Sequence, residues 1–235
     1  MDEAAIRTLN EINRRFYETV AAEFDSSRQQ PWEGWKRVFS ALETGLKSPL
    51  NVLDVGCGNG RFGVFLADRL GRDGLHYVGL DSSAALLERA RTALSEIDAR
   101  LDVRDIVDDP PDAALGQFDL VVLFGMLHHI PGADRRLALL RSLADRVATG
   151  GMLDFTEWRF YDVAHLRARI IPWSADMPVE AGDYLLDWRR GATALRYCHA
   201  VDDDEHTRLV AATGLKPVEE FRADAANLYT VLRRD

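Results

Sequence analysis

Cysteine is nearly missing from these 235 residues: Cys57 and Cys198 are too few for a disulfide framework or a cysteine-rich zinc site. No apolar run approaches the roughly 18 residues that a membrane span needs. The N-terminus, MDEAAIRTLNEINRRFYE, is acidic and amphipathic and lacks the basic-then-apolar layout of a secretory signal. These absences point to a reducing cytoplasm and to no membrane role. Lysine is scarce too, outnumbered by arginine 26 to 3, and the net charge is −9. That balance removes any whole-molecule attraction to polyanions while leaving room for a local basic patch. Repeats, low-complexity tracts and Gly/Ser linkers are also absent. What is present, 47% hydrophobic and 29% charged residues, suits one domain over 1–235 with a sizeable core.

Apolar periodicity organises the chain. Ile6, Leu9, Ile12, Phe16 and Val20 lie at helical spacing and predict a helix over 2–24. The polar break Asp25–Pro31 separates it from a second helix over 32–46. Short apolar runs at 50–55, 75–80, 99–103, 118–124 and 151–156 then alternate with helical segments at 60–70, 83–96 and 134–148. Such alternation predicts a parallel sheet with helices on both faces. The stretch 158–191, with Trp158, Trp173 and Trp188, reads as an insertion, followed by a strand at 193–199. Asp202 and Glu205 have capping-box spacing at a helix start, and Gly214 closes that helix. Apolar segments at 215–221 and 227–232 finish the sheet.

The chemistry is concentrated at Asn51–Gly60, NVLDVGCGNG, a buried strand running into a glycine turn before a helix. Glycines there permit positive φ and a close approach of backbone to ligand, and the helix N-terminus favours an anionic group. A dinucleotide fingerprint needs glycines at positions 1, 3 and 6. Counting from Gly56, position 6 is Arg61, and the glycines fall at 1, 3 and 5, with Asp54 two residues before them. Asp81 ends the second strand, where an ionised acceptor suits two ribose hydroxyls.

Asp-Val-Gly-Cys-Gly-Asn-Gly resembles motif I of the class I S-adenosylmethionine-dependent methyltransferases. Phe118-Asp119-Leu120-Val121-Val122, continuing to Leu127-His128-His129-Ile130, is similar to their motif IV. The resemblance implies a Rossmann-like α/β fold: a largely parallel seven-stranded sheet flanked by helices. It divides the chain into an N-terminal helical cap (1–46), a cofactor-binding core (50–156), a substrate lid insertion (157–200) and a C-terminal helix with strands (201–235). It implies S-adenosylmethionine as cofactor, with S-adenosylhomocysteine as product, held by Asp54, Gly56, Cys57, Gly58, Gly60, Asp81, Ser82 and Phe124. Asp105 resembles the contact to the adenine amine, with Arg104 or Ile106 flanking the ring. Tyr17 and Arg28 join this set from the cap, Arg28 as a candidate for the cofactor carboxylate.

The outer segments carry a second resemblance. Phe16-Tyr17, the run Phe24–Trp32, Gly182–Trp188 and Arg196-Tyr197-Cys198-His199 look like segments of the tRNA wobble-uridine carboxymethyl O-methyltransferases, including the methyltransferase domain of the AlkB-homologue fusion protein. Cys198 and Asp187 depart from that pattern, where Tyr and Pro stand. The resemblance implies methyl transfer to a carboxylate on tRNA and a possible small zinc-binding activator protein as partner. A carboxylate is already ionised and nucleophilic, so it needs orientation more than deprotonation, and an arginine fork supplies that. Arg196 is the first candidate, with His199 and His129 beside the reacting groups. Arg28, Trp32, Trp158, Trp188 and Tyr197 complete the acceptor set, and no metal ligands are assigned. On this reading Arg14, Arg15, Arg28, Arg189, Arg190 and Arg196 form a positive patch. Two other readings stand beside it: a small-molecule O- or N-methyltransferase of specialised metabolism, and a silent cofactor-binding subunit.

Overall fold

The computed structural model describes residues 1–26, 30–42, 47–174, 177–190 and 192–235, with backbone alone at 22, 24, 189, 190 and 192. Arg28 lies outside the described residues, as do the side chains of Arg189 and Arg190. Helix α1 (Glu3–Ser26) precedes α2 (Gly34–Leu42). Alternation follows: β1 (Leu50–Val55), α3 (Arg61–Leu70), β2 (Leu75–Asp81), α4 (Ala84–Ala93), β3 (Asp98–Val103), β4 (Phe118–Leu123), α5 (Ala133–Asp145), β5 (Val147–Trp158). Next come α6 (Ala164–Arg167), β6 (Ile170–Ile171), β7 (Asp183–Arg190), β8 (Ala192–His199), α7 (Asp203–Thr213), β9 (Lys216–Ala223) and β10 (Asn227–Arg233).

Seven strands form one sheet in the order β3-β2-β1-β4-β5-β10-β9. The first five are parallel, and β10 runs antiparallel to β5 and β9. Strand order reverses between β1 and β4, where an open α/β sheet leaves a crevice at its carboxyl ends. One face is covered by α5 and α7 and the other by α2, α3 and α4. A second, antiparallel sheet, β6-β7-β8, packs on α1 through Phe16, Val20 and Trp188. Cap and insertion thus make one wall together.

Local chemistry sets the boundaries. Gly60, left-handed at φ 77, turns the chain into α3. The Ser83 hydroxyl caps α4 by accepting from Leu86 N. Asp202 accepts from Glu205 N at 2.7 Å, but the Glu205 carboxylate turns to Arg136 and His199 instead of completing a capping box. Two expectations needed revision. Strand β7 was not anticipated because Leu185 and Leu186 are both buried, so a strand covered on both faces shows no alternation. On α1, Asn13 is 5% exposed and takes the inner position, whereas Ile12 is only half-buried.

One core residue opposes the fold. Asp154, on β5 between Val122 and Val231, is fully buried and neither carboxyl oxygen meets a protein donor. Burial holds its carboxyl well above the ordinary value, with Glu219 adding to the effect. A raised carboxyl favours the fold below the ordinary carboxylate range and loses that contribution as pH rises through its folded value. Asp154→Val is therefore expected to stabilise the protein at pH 8 by about 1–3 kcal/mol, seen as a melting temperature several degrees higher. The gain shrinks at pH 4; an equal melting temperature at pH 8 contradicts the reading.

Candidate active site

A cavity of about 680 Å³ opens at the carboxyl ends of β1, β2 and β4, walled by α1, the start of α2, Trp158 and the β7–β8 hairpin. Its floor is the glycine turn. Gly56, Gly58 and Gly60 all adopt positive φ, at 79°, 56° and 77°. A Cβ at Gly56 would stand 2.2 Å from Met126 Cγ, whereas one at Gly58 would meet nothing within 4 Å. Gly56 is therefore required by packing, and Gly58 leaves an open cradle beside its own backbone. Gly58 N donates to Asp81 Oδ2 and Ser83 N to Asp81 Oδ1, both at 2.8 Å. The Asp81 carboxylate is thereby fixed at the strand end; burial raises its carboxyl above the ordinary value while these two N–H donors oppose the rise.

Asp54 is 3% exposed and accepts from Tyr77 Oη at 2.5 Å. Burial pushes its carboxyl up to about 7, the Tyr77 hydrogen bond opposing and Asp81 reinforcing. Asp105 accepts from Val107 N at 3.1 Å and from Asn10 Nδ2 on α1 at 2.9 Å. Arg104 reaches the cavity but gives its guanidinium to Asp109 and Asp112, which leaves buried Ile106 as the apolar flank. Cys57 and Phe124 are buried and Ser82 is exposed on the same lining. Burial raises the Cys57 thiol well above its ordinary value, so it packs and does not react.

The opposite wall holds Arg196, 5% exposed. Its guanidinium carbon lies 4.4 Å from the Trp158 ring centroid, 5.6 Å from Phe16 and 6.0 Å from Trp188. Other buried arginines are ion-paired: Arg136 with Glu180 and Glu205, Arg159 with Glu157 and Asp203. Arg196 differs. Its Nε meets no acceptor, and among the described residues no carboxylate stands within ion-pair distance of it. Next to it, His129 Nδ1 lies 2.9 Å from the Tyr197 carbonyl oxygen and Nε2 lies 3.0 Å from Tyr17 Oη. Nδ1 also lies 3.2 Å from Asn13 Nδ2, so both ring nitrogens already face protein hydrogen-bond partners.

A family model described as a methyltransferase domain matches residues 53–153. A tRNA (carboxymethyluridine(34)-5-O)-methyltransferase from Macaca fascicularis is 30% identical over 158 residues, 67% of this chain and 21% of that protein. A carboxy-S-adenosyl-L-methionine synthase from Mannheimia succiniciproducens is 28% identical over 152 residues, 63% of each chain. The chain therefore spans about a fifth of the first relative's length and under two thirds of the second's. Among solved structures, an N-methyltransferase from Bradyrhizobium japonicum in complex with S-adenosylhomocysteine shares the fold, with a TM-score of 0.59, 20% identity and 98% coverage of both chains. Residues 53–153 thus match a methyltransferase domain, on a fold shared with S-adenosylmethionine-dependent methyltransferases of known structure.

Several expected residues stand elsewhere than foreseen. Gly60 does not line the cavity; a Cβ there would press on Leu94 at 3.0 Å and Ala90 at 3.1 Å, so it serves the turn and the packing of α3 on α4. Tyr197 points away from the cavity, its hydroxyl donating to Asp183 Oδ1 at 2.8 Å. His199, expected beside the reacting groups, is held in the same buried network, 2.7 Å from both Asp183 Oδ1 and Glu205 Oε2. Burial works against its charge, but these two carboxylates raise its pKa above the ordinary value, and it ties β8 to α7. Of the arginines expected to form a basic patch, Arg15 pairs with Glu11 at 2.8 Å and Arg14 stands 3.9 Å from Asp105, while Arg28 and the side chains of Arg189 and Arg190 lie outside the described residues. Tyr17, Trp32, Trp158, Trp188 and Arg196 all line the cavity.

Residues not singled out earlier also face it: Asn10, Asn13, Trp35, Arg61, Met126 and Asp224 among them. Asn13 had a legible signal, a polar residue recurring in step with Leu9, Phe16 and Val20 on an otherwise apolar helix face. Its Oδ1 accepts from Tyr197 N at 2.9 Å and pins α1 to β8. His128, His129 and Cys198 bring nitrogen and sulfur atoms within 4.8 Å of one another. Burial pushes the Cys198 thiol up to about 11, and both His129 nitrogens face protein hydrogen-bond partners.

Proposed function

We propose that the protein transfers the methyl group of S-adenosylmethionine to a carboxylate oxygen, first among acceptors the carboxymethyl group of a modified wobble uridine in tRNA. The observation that supports this reading most is Arg196, a buried guanidinium facing the cavity with no carboxylate partner among the described residues. Burying an uncompensated charge is costly, and a bound carboxylate on the guanidinium fork would offset that cost. An ionised acceptor also needs no base, in keeping with a His129 ring already committed to Tyr197 and Tyr17. Trp158 and Trp188 offer ring faces against which a planar heterocycle packs, and Trp32 and Tyr17 offer the same beside the cofactor end. The Macaca relative named above acts, by its name, on carboxymethyluridine.

The cofactor supplies an electrophilic methyl on a positively charged sulfur. Its ribose would be held by Asp81, its adenine flanked by Ile106 and reached by Asp105, and its ammonium met by Asp54. The open cradle at Gly58 and the two carboxylates facing the cavity fit that group. Since burial pushes the Asp54 carboxyl up to about 7, binding an ammonium there would release its proton. Affinity for S-adenosylhomocysteine is then expected to rise about tenfold between pH 5.5 and 7 and to level off above, and Asp54→Asn to flatten the profile. A flat wild-type profile in calorimetric titrations contradicts this placement.

A second reading, methylation of a small carboxylic acid, is favoured by the net charge of −9 and by the pairing of Arg14 with Asp105 and of Arg15 with Glu11, which offsets positive charge that a polyanion would use. Incubation with methyl-labelled cofactor and bulk tRNA, previously treated with mild alkali to free methyl esters, separates the two. Label in the treated tRNA supports the tRNA acceptor. Label only in a pool of small carboxylic acids transfers the proposal to the second reading, and label in neither overturns both.

A further inference from the structure

We propose that Arg61 binds the carboxylate of the cofactor's amino-acid end and, with Asp54, forms a clamp for its zwitterion; this rests on S-adenosylmethionine being the cofactor. Arg61 is the first residue of α3, directly after the glycine turn. Its guanidinium carbon sits 5.0 Å from the ring centroids of both Trp32 and Trp35. One nitrogen donates to the Gln30 carbonyl oxygen at 2.8 Å. The residue lines the cavity, and among the described residues no carboxylate lies within ion-pair distance of it. Desolvation is strong enough to bring the guanidinium pKa down to about 10, with Tyr229, Asp224 and Asp54 opposing the fall.

Asp54 and Arg61 each feel the other's charge, yet they do not form an ion pair. A cavity wall presenting an anion and a cation that are near but not joined matches an α-amino acid, whose ammonium and carboxylate sit on one carbon. Two tryptophan rings fix the guanidinium plane, which reduces the freedom lost when a carboxylate docks. The first-turn N–H groups of α3, which no helical carbonyl accepts, add to the attraction for the same anion. The clamp thus assigns to Arg61 a role that the sequence alone suggested for Arg28.

S-adenosylmethionine and its decarboxylated analogue differ by that carboxylate alone, so their affinity ratio reads the clamp. The wild-type protein is expected to bind S-adenosylmethionine about 10- to 100-fold more tightly than the analogue. In Arg61→Met the ratio collapses toward one because only the carboxylated ligand weakens; Arg61→Lys recovers part of it. An unchanged ratio in Arg61→Met overturns the proposal. So does an equal loss of both ligands in Arg61→Met and Arg61→Gln, which would make Arg61 a support of the site and not a carboxylate ligand. Wild-type protein that binds neither compound would instead remove the cofactor assignment.

Discussion

Replacing Arg196 with methionine is expected to lower kcat/KM for the acceptor by roughly 100- to 1000-fold, with affinity for S-adenosylhomocysteine nearly unchanged. The separation follows from position. Arg196 stands on β8, across the cavity from the glycine turn, and its neighbours are the rings of Phe16, Trp158 and Trp188. Methionine keeps an apolar stem of similar length among these rings, so the cage stays filled while the fork is lost. Arg196→Lys keeps the charge but not the bidentate geometry and should fall between the two. A purely structural arginine would show the opposite pattern: a lowered melting temperature, weaker binding of both ligands and no preference for carboxylate acceptors. Steady-state kinetics with an acid acceptor and its uncharged amide distinguish the cases, because only the acid should lose turnover.

Asp81→Ala should weaken S-adenosylmethionine binding by roughly 100-fold or more, the largest effect expected on the cofactor side. Two losses combine. The ribose loses an ionised acceptor, a contact of about 1.5–3 kcal/mol. The N–H groups of Gly58 and Ser83 lose the carboxylate that aligns the turn. Asp81→Asn keeps one acceptor oxygen and should lose less. Titration calorimetry checks both variants, and binding of Asp81→Ala within about threefold of wild type would remove Asp81 from the site.

Much of this arrangement was legible in the sequence because its signals are local. The glycine spacing, the acidic residue at the end of the second strand and the alternating apolar runs each depend on a few adjacent residues, and the sheet follows their order. The acceptor wall was less legible. Arg196, Tyr197 and His199 looked like one constellation, but side chains alternate along a strand. Residue 196 therefore faces the cavity while 197 and 199 turn to Asp183 behind it. Applying the period of two to this run would have split the set without any structure. Arg61 was passed over for another reason: in sequence it is one of 26 arginines, and only packing shows two tryptophans bracing it. One of the two partners of His199 is likewise non-local, since Asp183 lies sixteen residues away.

The chemical bond that receives the methyl group tests the central claim most directly. Protein incubated with methyl-labelled S-adenosylmethionine and alkali-treated tRNA, or a pool of carboxylic acids, should yield product whose label is released as methanol by mild base. Ester lability of this kind is what transfer to a carboxylate oxygen predicts. Label that survives the same treatment, as an N-methyl or ether product would, contradicts the account and leaves Arg196 without the role given to it.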